Sequence, residues 1–210
     1  MERLIIVGAG GLGREVDELA WDDYANGRDW MMGGFLDTRP NALDGYQTRT
    51  SVIGDPHTFI PQPKDIFVVA VGDVALKKKL VAPLALRGAR FVSLRTNVRM
   101  GARCAYGASV FGDRATLSVD VTVGNYAYIG ADVIVGHDSV IGDYAHIGPR
   151  CFVAGRVKVG PLATIHPMAT LAMDAEIGEG ATVGAGAVVF EKVAPHTTVL
   201  GNPARKFEFK

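Results

Sequence analysis

A six-residue repeat in the second half of the chain constrains the fold more than any other feature of the sequence. Every sixth residue from Val123 to Val189 is a branched aliphatic, and the next residue is glycine in eight of these twelve cases. The residue two positions before each aliphatic is nearly always small. A period of six fits neither an α-helix nor one continuous strand, so it indicates a short strand and a turn, repeated many times. The aliphatic residues are Val123, Ile129, Val135, Ile141, Ile147, Val153, Val159, Ile165, Leu171, Ile177, Val183 and Val189.

Three repeats would close a triangular coil of about 18 residues, and successive coils would stack at the strand spacing of roughly 4.8 Å. Residues one coil apart then lie in one column, which places His137 between Val119 and Gly155. We expect His137 at a coil corner, because it comes two residues after the inward-facing Val135. A neighbouring column contains Asp120, Asp138, Arg156 and Asp174.

The N-terminal part of the chain has a different pattern. The segment "RLIIVGAGGLGREVDELA" is an apolar strand, a G-x-G-x-x-G turn at Gly8, Gly10 and Gly13, and a helix. This is the context that a nucleotide-binding fingerprint requires, although the glycines could also form a plain strand-to-helix turn. A second strand is predicted to end at Asp37, and another strand, a helix and a short strand follow. The domain is about half of a full dinucleotide fold, so a nucleotide-sugar fits it better than NAD.

These patterns predict an α/β, Rossmann-like small domain over residues 1–95, followed by a parallel β-helix domain with a C-terminal tail over residues 96–210. The repeat itself should run from about residue 98 to 191. The formal net charge is zero, which provides no electrostatic footprint for nucleic acid or an anionic membrane. The sequence has neither the apolar run of a signal peptide nor that of a membrane span, so a cytoplasmic protein is expected. Cys151 occupies a small inward position and should fill the core.

Five segments together resemble one branch of the hexapeptide-repeat acetyltransferases: "IIVGAGGLGREV", "GGFLDT", "VVAVGDVALKKKL", "VIVGHDSVIGDYAHIGPRCFVAGRVKVG" and "TVLGNPARKF". That branch comprises the nucleotide-amino-sugar N-acetyltransferases of the bacillosamine and perosamine pathways and the sialic acid O-acetyltransferase relatives. The resemblance implies a left-handed β-helix, acetyl-CoA as co-substrate, a nucleotide-sugar acceptor, a homotrimer and a role in surface-glycan biosynthesis.

The resemblance also implies roles for individual residues. His137 would be the general base, and Asp138 would orient it or bind the acceptor amine. The residues expected near the coenzyme are His146, Gly155, Ala185, Asn202, Pro203 and Arg205. The residues expected to bind the acceptor are Gly10, Gly11, Leu12, Gly13, Asp37, Thr38, Gly72 and Asp73.

The chain departs from these relatives at three places in or near the acceptor-binding half. Leu12 stands where relatives often carry histidine, and Gly72-Asp73-Val74 stands where they often have Gly-Asn-Asn. Arg95-Thr96 stands where they often have His-Pro. The departures leave the nucleotide and the sugar open, but not the acyl donor.

Three other functions are compatible with parts of the sequence. Acetylation of a sugar hydroxyl is a close variant, and a non-catalytic binding or scaffold protein is a more distant one. A zinc enzyme would need three imidazoles at one metal. His137, His146 and His166 lie in different columns, so no metal is expected. His166 stands where the repeat would place glycine, and a structural and a coenzyme-adjacent role both remain open.

Overall fold

The computed structural model describes residues 1–25 and 27–208, and the chain divides into two compact units, Met1–Thr96 and Asn97–Lys210. Within the described part of the chain, no helix has the length and apolar character needed to cross a membrane.

The first unit contains a parallel five-stranded sheet with the strand order β3-β2-β1-β4-β5. Because β1 lies between β2 and β4, the strand order reverses between β1 and β4. The elements are β1 (Glu2–Val7), α1 (Gly11–Ala25), β2 (Trp30–Leu36), β3 (Val52–Gly54), β4 (Asp65–Val69), α2 (Val74–Leu86) and β5 (Arg90–Phe91), and the short strand β6 (Leu94–Arg95) ends the unit.

The glycine turn after β1 is dictated by close packing. Gly8 has a φ of +103°, and a Cβ on it would lie 2.7 Å from the carbonyl oxygen of Ala70. A Cβ on Gly13 would lie 2.1 Å from the carbonyl oxygen of Gly8. Two of the three fingerprint glycines are therefore needed by the fold itself, whereas a Cβ on Gly10 would meet nothing within 4 Å.

The sequence predicted the order of elements in this unit, with two differences. Strand β2 ends at Leu36, one residue before the predicted end at Asp37. Strand β3 had no counterpart in the prediction, because three residues beside a sheet edge carry too little periodicity to be recognised.

The second unit is a parallel β-solenoid whose strands form three sheets. The first face contains β7, β10, β13, β16, β19 and β22; the second contains β8, β11, β14, β17 and β20; the third contains β9, β12, β15, β18, β21, β23 and β24. The strands are β7 (Arg99–Met100), β8 (Ala105–Tyr106), β9 (Val110–Phe111), β10 (Thr116–Leu117), β11 (Thr122–Val123), β12 (Tyr128–Ile129), β13 (Ile134–Val135), β14 (Val140–Ile141), β15 (His146–Ile147), β16 (Phe152–Val153), β17 (Lys158–Val159), β18 (Thr164–Ile165), β19 (Thr170–Leu171), β20 (Glu176–Ile177), β21 (Thr182–Val183), β22 (Val188–Val189), β23 (Thr198–Leu200) and β24 (Arg205–Lys206).

The core of the solenoid confirms the predicted register. All twelve aliphatic residues from Val123 to Val189 point inward and are at most 3% exposed. The small residues two positions before them are buried as well, Cys151 among them. The first residue of each two-residue strand points outward because side chains alternate along a strand, so Ile134 is 48% exposed and Phe152 is 46% exposed.

The solenoid continues beyond its predicted end near residue 191. Strand β23 pairs with β21, with Thr182 opposite Thr198, and β24 adds antiparallel to β23. The regular hexad series ends at Val189. The next inward residue, the buried Val193, comes only four residues later, and the buried Val199 follows six residues after it. The prediction ended too early because the last coil is shorter than the others, which breaks the phase of the repeat.

Candidate functional site

His137 lies in the turn between β13 and β14, at the corner that joins the first face to the second. Its ring nitrogen Nδ1 is 2.7 Å from Oδ2 of Asp138. The side chains are 43% and 56% exposed, so the pair faces solvent. When Nδ1 carries the proton and donates to the carboxylate, Nε2 has a free lone pair and can accept a proton from a substrate.

Gly155 provides the space in which the imidazole lies. A Cβ on residue 155 would be 2.6 Å from Nε2 of His137 and 2.7 Å from its Cε1. The two residues are column neighbours, because the N–H of Arg156 donates to the carbonyl oxygen of His137 at 2.8 Å. Glycine is therefore required at this position for the ring to occupy its observed place.

Asp138 belongs to a column of charged corner residues, but its carboxylate pairs with His137 and not with Arg156. The guanidinium of Arg156 forms a two-pronged ion pair with Asp174, at 2.7 and 2.9 Å. The hydrogen bonds to Asp174, together with the charges of Asp174 and Asp138, raise the pKa of Arg156. A cleft of about 570 Å³ borders these residues and is lined by Asp138, Arg156, Lys158, Asp174 and Glu176.

His146 is in β15 on the third face, away from the corner of His137. It pairs with Tyr128 and Thr164 in the neighbouring coils, each 18 residues away along the chain. Its ring stacks on that of Tyr128 with centroids 4.9 Å apart and an interplanar angle of 21°. One solenoid therefore presents His137 and His146 in different directions.

His166 is exposed in the turn after β18. Its carbonyl oxygen accepts a hydrogen bond from Sγ of Cys151 at 3.1 Å. Burial raises the pKa of that thiol to about 11, which makes Cys151 a poor nucleophile. Among residues 1–25 and 27–208, no group of three or more histidine, cysteine or carboxylate side chains could hold a metal ion.

Two of the predicted coenzyme residues line a cleft of about 830 Å³ at the C-terminal end of the solenoid. These are Pro203 and Arg205, and the side chains of Lys192 and Lys206 border the same cleft. Asn202 is exposed beside it. Ala185 is exposed at the corner between the third and first faces, whereas Gly155 lies at the corner between the first and second. One chain therefore does not bring all the predicted coenzyme residues together.

The predicted acceptor residues gather where the strands of the first unit end. Gly10, Gly11, Leu12 and Gly13 form the turn after β1 and the start of α1. Asp37 and Thr38 follow β2, and Gly72 and Asp73 follow β4. Three of these residues, Gly10, Gly11 and Gly72, have no side chain, and Thr38 is exposed. Asp73 caps α2, since its Oδ1 accepts from the N–H of Leu76 at 2.8 Å.

Asp37 is buried and fully engaged by its own chain. Oδ2 accepts from the N–H of Ala9 at 2.9 Å and from Nη2 of Arg39 at 3.1 Å. Oδ1 accepts from the backbone N–H of Arg39 at 3.0 Å and from its Nε at 2.9 Å. Burial opposes ionisation, but the hydrogen bonds from Arg39 and Ala9 outweigh it and hold the pKa of Asp37 below its usual value.

Sequence reasoning missed two arginines near the glycine turn. Arg39 forms the two-pronged pair with Asp37, and its only sequence signal is a cation two residues after an acidic strand end. Arg14 lies in the first turn of α1, with its guanidinium carbon 3.6 Å from the centroid of the Tyr46 ring. No sequence signal links Arg14 to Tyr46, because the pair is formed by tertiary structure.

Comparison with known families finds a match in each of the two units of the chain. The family described as PglD N-terminal domain matches residues 3–84. The family described as bacterial transferase hexapeptide (six repeats) matches residues 120–155 and 138–173. The chain therefore combines a PglD N-terminal domain with hexapeptide transferase repeats.

Several solved structures have the same architecture over the whole chain. The acetyltransferase domain of PglB from Neisseria gonorrhoeae, in complex with acetyl coenzyme A, is 26% identical, with a TM-score of 0.84 over 98% of this chain and 99% of that one. PerB from Caulobacter crescentus, in complex with CoA and GDP-perosamine, is 24% identical, with a TM-score of 0.85 over 99% and 98%. WeeI from Acinetobacter baumannii is 24% identical, with a TM-score of 0.75 over 99% and 100%. No curated protein matches the chain significantly in sequence.

Proposed function

We propose that this protein transfers the acetyl group of acetyl-CoA to the amino group of a nucleotide-linked amino sugar. The observation that carries the proposal is the His137–Asp138 pair, with Nδ1 and Oδ2 2.7 Å apart and the ring lying over Gly155. The structure of the PglB acetyltransferase domain, which is 26% identical, contains acetyl coenzyme A and supports this donor. PerB, which shares the fold, was solved with GDP-perosamine, a nucleotide-linked amino sugar.

His137 would act as the general base. The acceptor amine attacks the thioester carbonyl, and Nε2 of His137 takes a proton from the attacking nitrogen. The C–S bond then breaks, and the CoA thiolate takes that proton from the imidazolium and leaves as the thiol. Asp138 would orient the imidazole through Nδ1 and stabilise the imidazolium that forms. The base contacts the nucleophile rather than the nucleotide of CoA, so its loss should affect turnover more than donor binding.

The donor site would lie between neighbouring solenoids in a homotrimer. His137 and His146 are on different parts of one solenoid, and Gly155 and Ala185 are at different corners, so a second copy is needed to complete the predicted set. Ile134 and Phe152 are adjacent on the first face and nearly half exposed, which supports burial of this face against another copy.

The assembly can be tested by light scattering on wild type and on Phe152→Glu. We expect a trimer for wild type, and dissociation with loss of activity for the variant. The matched control is Thr122→Glu, which places the same side chain at an exposed outward position of the second face. A wild-type monomer with full activity would refute the shared site.

The glycine turn after β1 and the residues after β2 and β4 would receive the nucleotide part of the acceptor, because open α/β sheets bind ligands at the carboxyl ends of their strands. We also propose that the reaction takes place in the cytoplasm and serves surface-glycan biosynthesis, as the resemblance to the nucleotide-amino-sugar acetyltransferases implies.

The acyl-transfer test is a panel of UDP-, GDP- and dTDP-linked amino sugars with acetyl-CoA, read by release of the CoA thiol. We expect turnover with one nucleotide class and a product resistant to mild hydroxylamine, as an amide is. A product that hydroxylamine cleaves would identify an ester and hence O-acetylation. No turnover with any member would favour a non-catalytic binding protein.

His137→Ala tests the catalytic group in the same assay. We expect kcat to fall roughly 10²–10⁴-fold, the range for loss of a general base, with acetyl-CoA binding retained. His196→Ala is the matched control, because His196 is also an exposed histidine beside a glycine, with its Nδ1 2.5 Å from where a Cβ of Gly180 would lie. If His137→Ala keeps its turnover while His146→Ala is inactive, the two histidines have the opposite roles.

A further inference from the structure

The carboxylate of Asp37 donates nothing and has little capacity left to accept a ligand. Its two oxygens already accept four hydrogen bonds, one from Ala9 and three from Arg39. Two carboxylate oxygens offer about four lone-pair directions. A ligand hydroxyl at Asp37 would have to displace one of these bonds from a buried, charged group.

We infer that Arg39, rather than Asp37, contacts the acceptor, and that it binds the diphosphate group. Asp37 is then a positioning residue that acts through Arg39. The inference rests on the proposed function, since it assigns the residue that binds the diphosphate in the proposed nucleotide-sugar site.

The anchoring of Arg39 explains how it could serve this purpose. Nε and Nη2 bind Asp37, while the side chain as a whole remains 63% exposed. No hydrogen bond from Nη1 to any atom of residues 1–25 or 27–208 is found, so this nitrogen is available to an external acceptor. Because Nε and Nη2 are already bound to Asp37, the guanidinium has lost much of its rotamer freedom before a phosphate binds. This reduces the entropic cost of binding.

The same carboxylate ties Arg39 to the glycine turn. Ala9, which donates to Oδ2 of Asp37, lies between Gly8 and Gly10 at the end of β1. Asp37 follows the adjacent strand β2, so Arg39 is held at the carboxyl edge of the sheet. A Cβ on Gly10 or Gly11 would meet nothing within 4 Å, so the space above the turn is open.

The first turn of α1 carries a positive charge, and the exposed carboxylates of Glu15 and Glu18 follow it along the helix. The first turn of α1 contains no acidic residue, and it contains Arg14. A cation at a helix N-terminus is unfavourable to the helix by itself, because the macrodipole is positive there. The guanidinium carbon of Arg14 lies 3.6 Å from the centroid of the Tyr46 ring, and an anion bound at the turn would offset the cost of its charge. The nearest acidic residue after β4, Asp73, is partly occupied by capping α2.

An exposed ion pair at the amino-terminal edge of the sheet serves as a comparison for the Arg39–Asp37 pair. Arg90, at the start of β5, pairs with Glu2, at the start of β1. Both side chains are about half exposed, at 55% and 42%, and no glycine turn adjoins them. Asp37, by contrast, is 8% exposed. Arg90→Gln is therefore a matched control for Arg39→Gln.

The test measures binding of UDP, GDP and dTDP to the full-length protein by calorimetry, with no reaction required. We expect Arg39→Gln to lower the affinity for the diphosphate about 10–100-fold, the usual loss for a charge-assisted hydrogen bond. Arg39→Lys should recover part of this loss, since it keeps the charge but not the fork. Arg90→Gln should leave the affinity unchanged.

Asp37→Asn separates the positioning role from direct contact with the ribose. We expect Asp37→Asn to weaken binding of the diphosphate. It should add little further loss in combination with Arg39→Gln, because both changes disrupt the same Asp37–Arg39 ion pair. The affinity ratio between the diphosphate and its 2′,3′-dideoxy counterpart should stay as in wild type. Collapse of that ratio in Asp37→Asn would show that Asp37 binds the ribose directly. Thermal unfolding of each variant checks that the sheet remains intact.

The remaining outcomes distinguish this inference from the proposed function. If wild type binds a diphosphate and Arg39→Gln binds it equally well, this inference is wrong while the proposed acceptor class stands. If wild type binds none of the three diphosphates, both are overturned.

Discussion

The imidazole of His137 lies so close to Gly155 in the next coil that a Cβ on residue 155 would come within 2.6 Å of Nε2. Backbone conformation does not demand glycine here, since Gly155 is absent from the residues with positive φ. We therefore attribute the glycine to the position of the imidazole.

Gly155→Ala should displace the ring of His137 and lower kcat about 10–100-fold, because a misplacement of about 1 Å can cost about 10²-fold. The melting temperature should change little, since the ring is a flexible, solvent-facing side chain that can move aside. The double variant Gly155→Ala/His137→Ala should be no slower than His137→Ala alone. A fully active Gly155→Ala enzyme would contradict the assigned position of the base.

Asp138→Asn should lower kcat by less than His137→Ala does, about 10-fold or more, with KM for acetyl-CoA nearly unchanged. An amide can still hydrogen bond to Nδ1 but cannot stabilise the imidazolium by its charge. Asp120→Asn is the matched control, because Asp120 occupies the neighbouring place in the same column and pairs with Arg103 instead. Equal losses in both variants would indicate a general effect of the charged column.

Cys151→Ala should retain kcat within about threefold. Its thiol is 1% exposed, and burial raises its pKa to about 11, so the nucleophilic thiolate is scarce at neutral pH. Cys104 is partly exposed, so native protein should react with a thiol reagent at Cys104 before Cys151, and both should react after unfolding. Loss of activity without loss of the fold in Cys151→Ala would reopen a covalent mechanism.

Ile141→Ala should destabilise the solenoid by about 2–5 kcal/mol, as large-to-small changes in a packed core do. Ile141 is 1% exposed in the line of aliphatic residues along the interior. Val140→Ala is the control, since Val140 is the adjacent residue and is 44% exposed. Denaturant unfolding should show a clear difference between the two variants, and similar free energies of unfolding would contradict the register.

Lys77→Met should gain stability relative to wild type by up to about 3 kcal/mol as the pH falls from 10.5 to below 8, because one pKa unit corresponds to about 1.4 kcal/mol. Lys77 is 1% exposed on α2, and burial lowers its pKa from 10.5 to about 8. Between these values the unfolded chain binds more protons than the folded one, so the stability of wild type rises with pH there. The advantage of Lys77→Met should shrink as pH rises from 8 to 10.5. An advantage that is independent of pH would show that Lys77 is not titrating in this range.

The sequence by itself determined the solenoid, its inward-facing residues and the corner position of His137. A hexad repeat carries this information because each inward position must be filled, and any shift of register would expose an aliphatic residue in every coil. The strand–glycine–helix order of the first unit could be predicted for the same reason, since Gly8 and Gly13 have no space for a side chain.

Only the tertiary structure decided which partner each charged group takes. The column of Asp138 allowed pairing with Arg156 or with His137, and the observed geometry commits Arg156 to Asp174. Asp37 could be placed at the end of a strand, but not its four hydrogen bonds, because Ala9 and Arg39 reach it through the pairing of β1 with β2. Long charged side chains can reach several neighbours, and the choice among them depends on distances that sequence spacing does not specify.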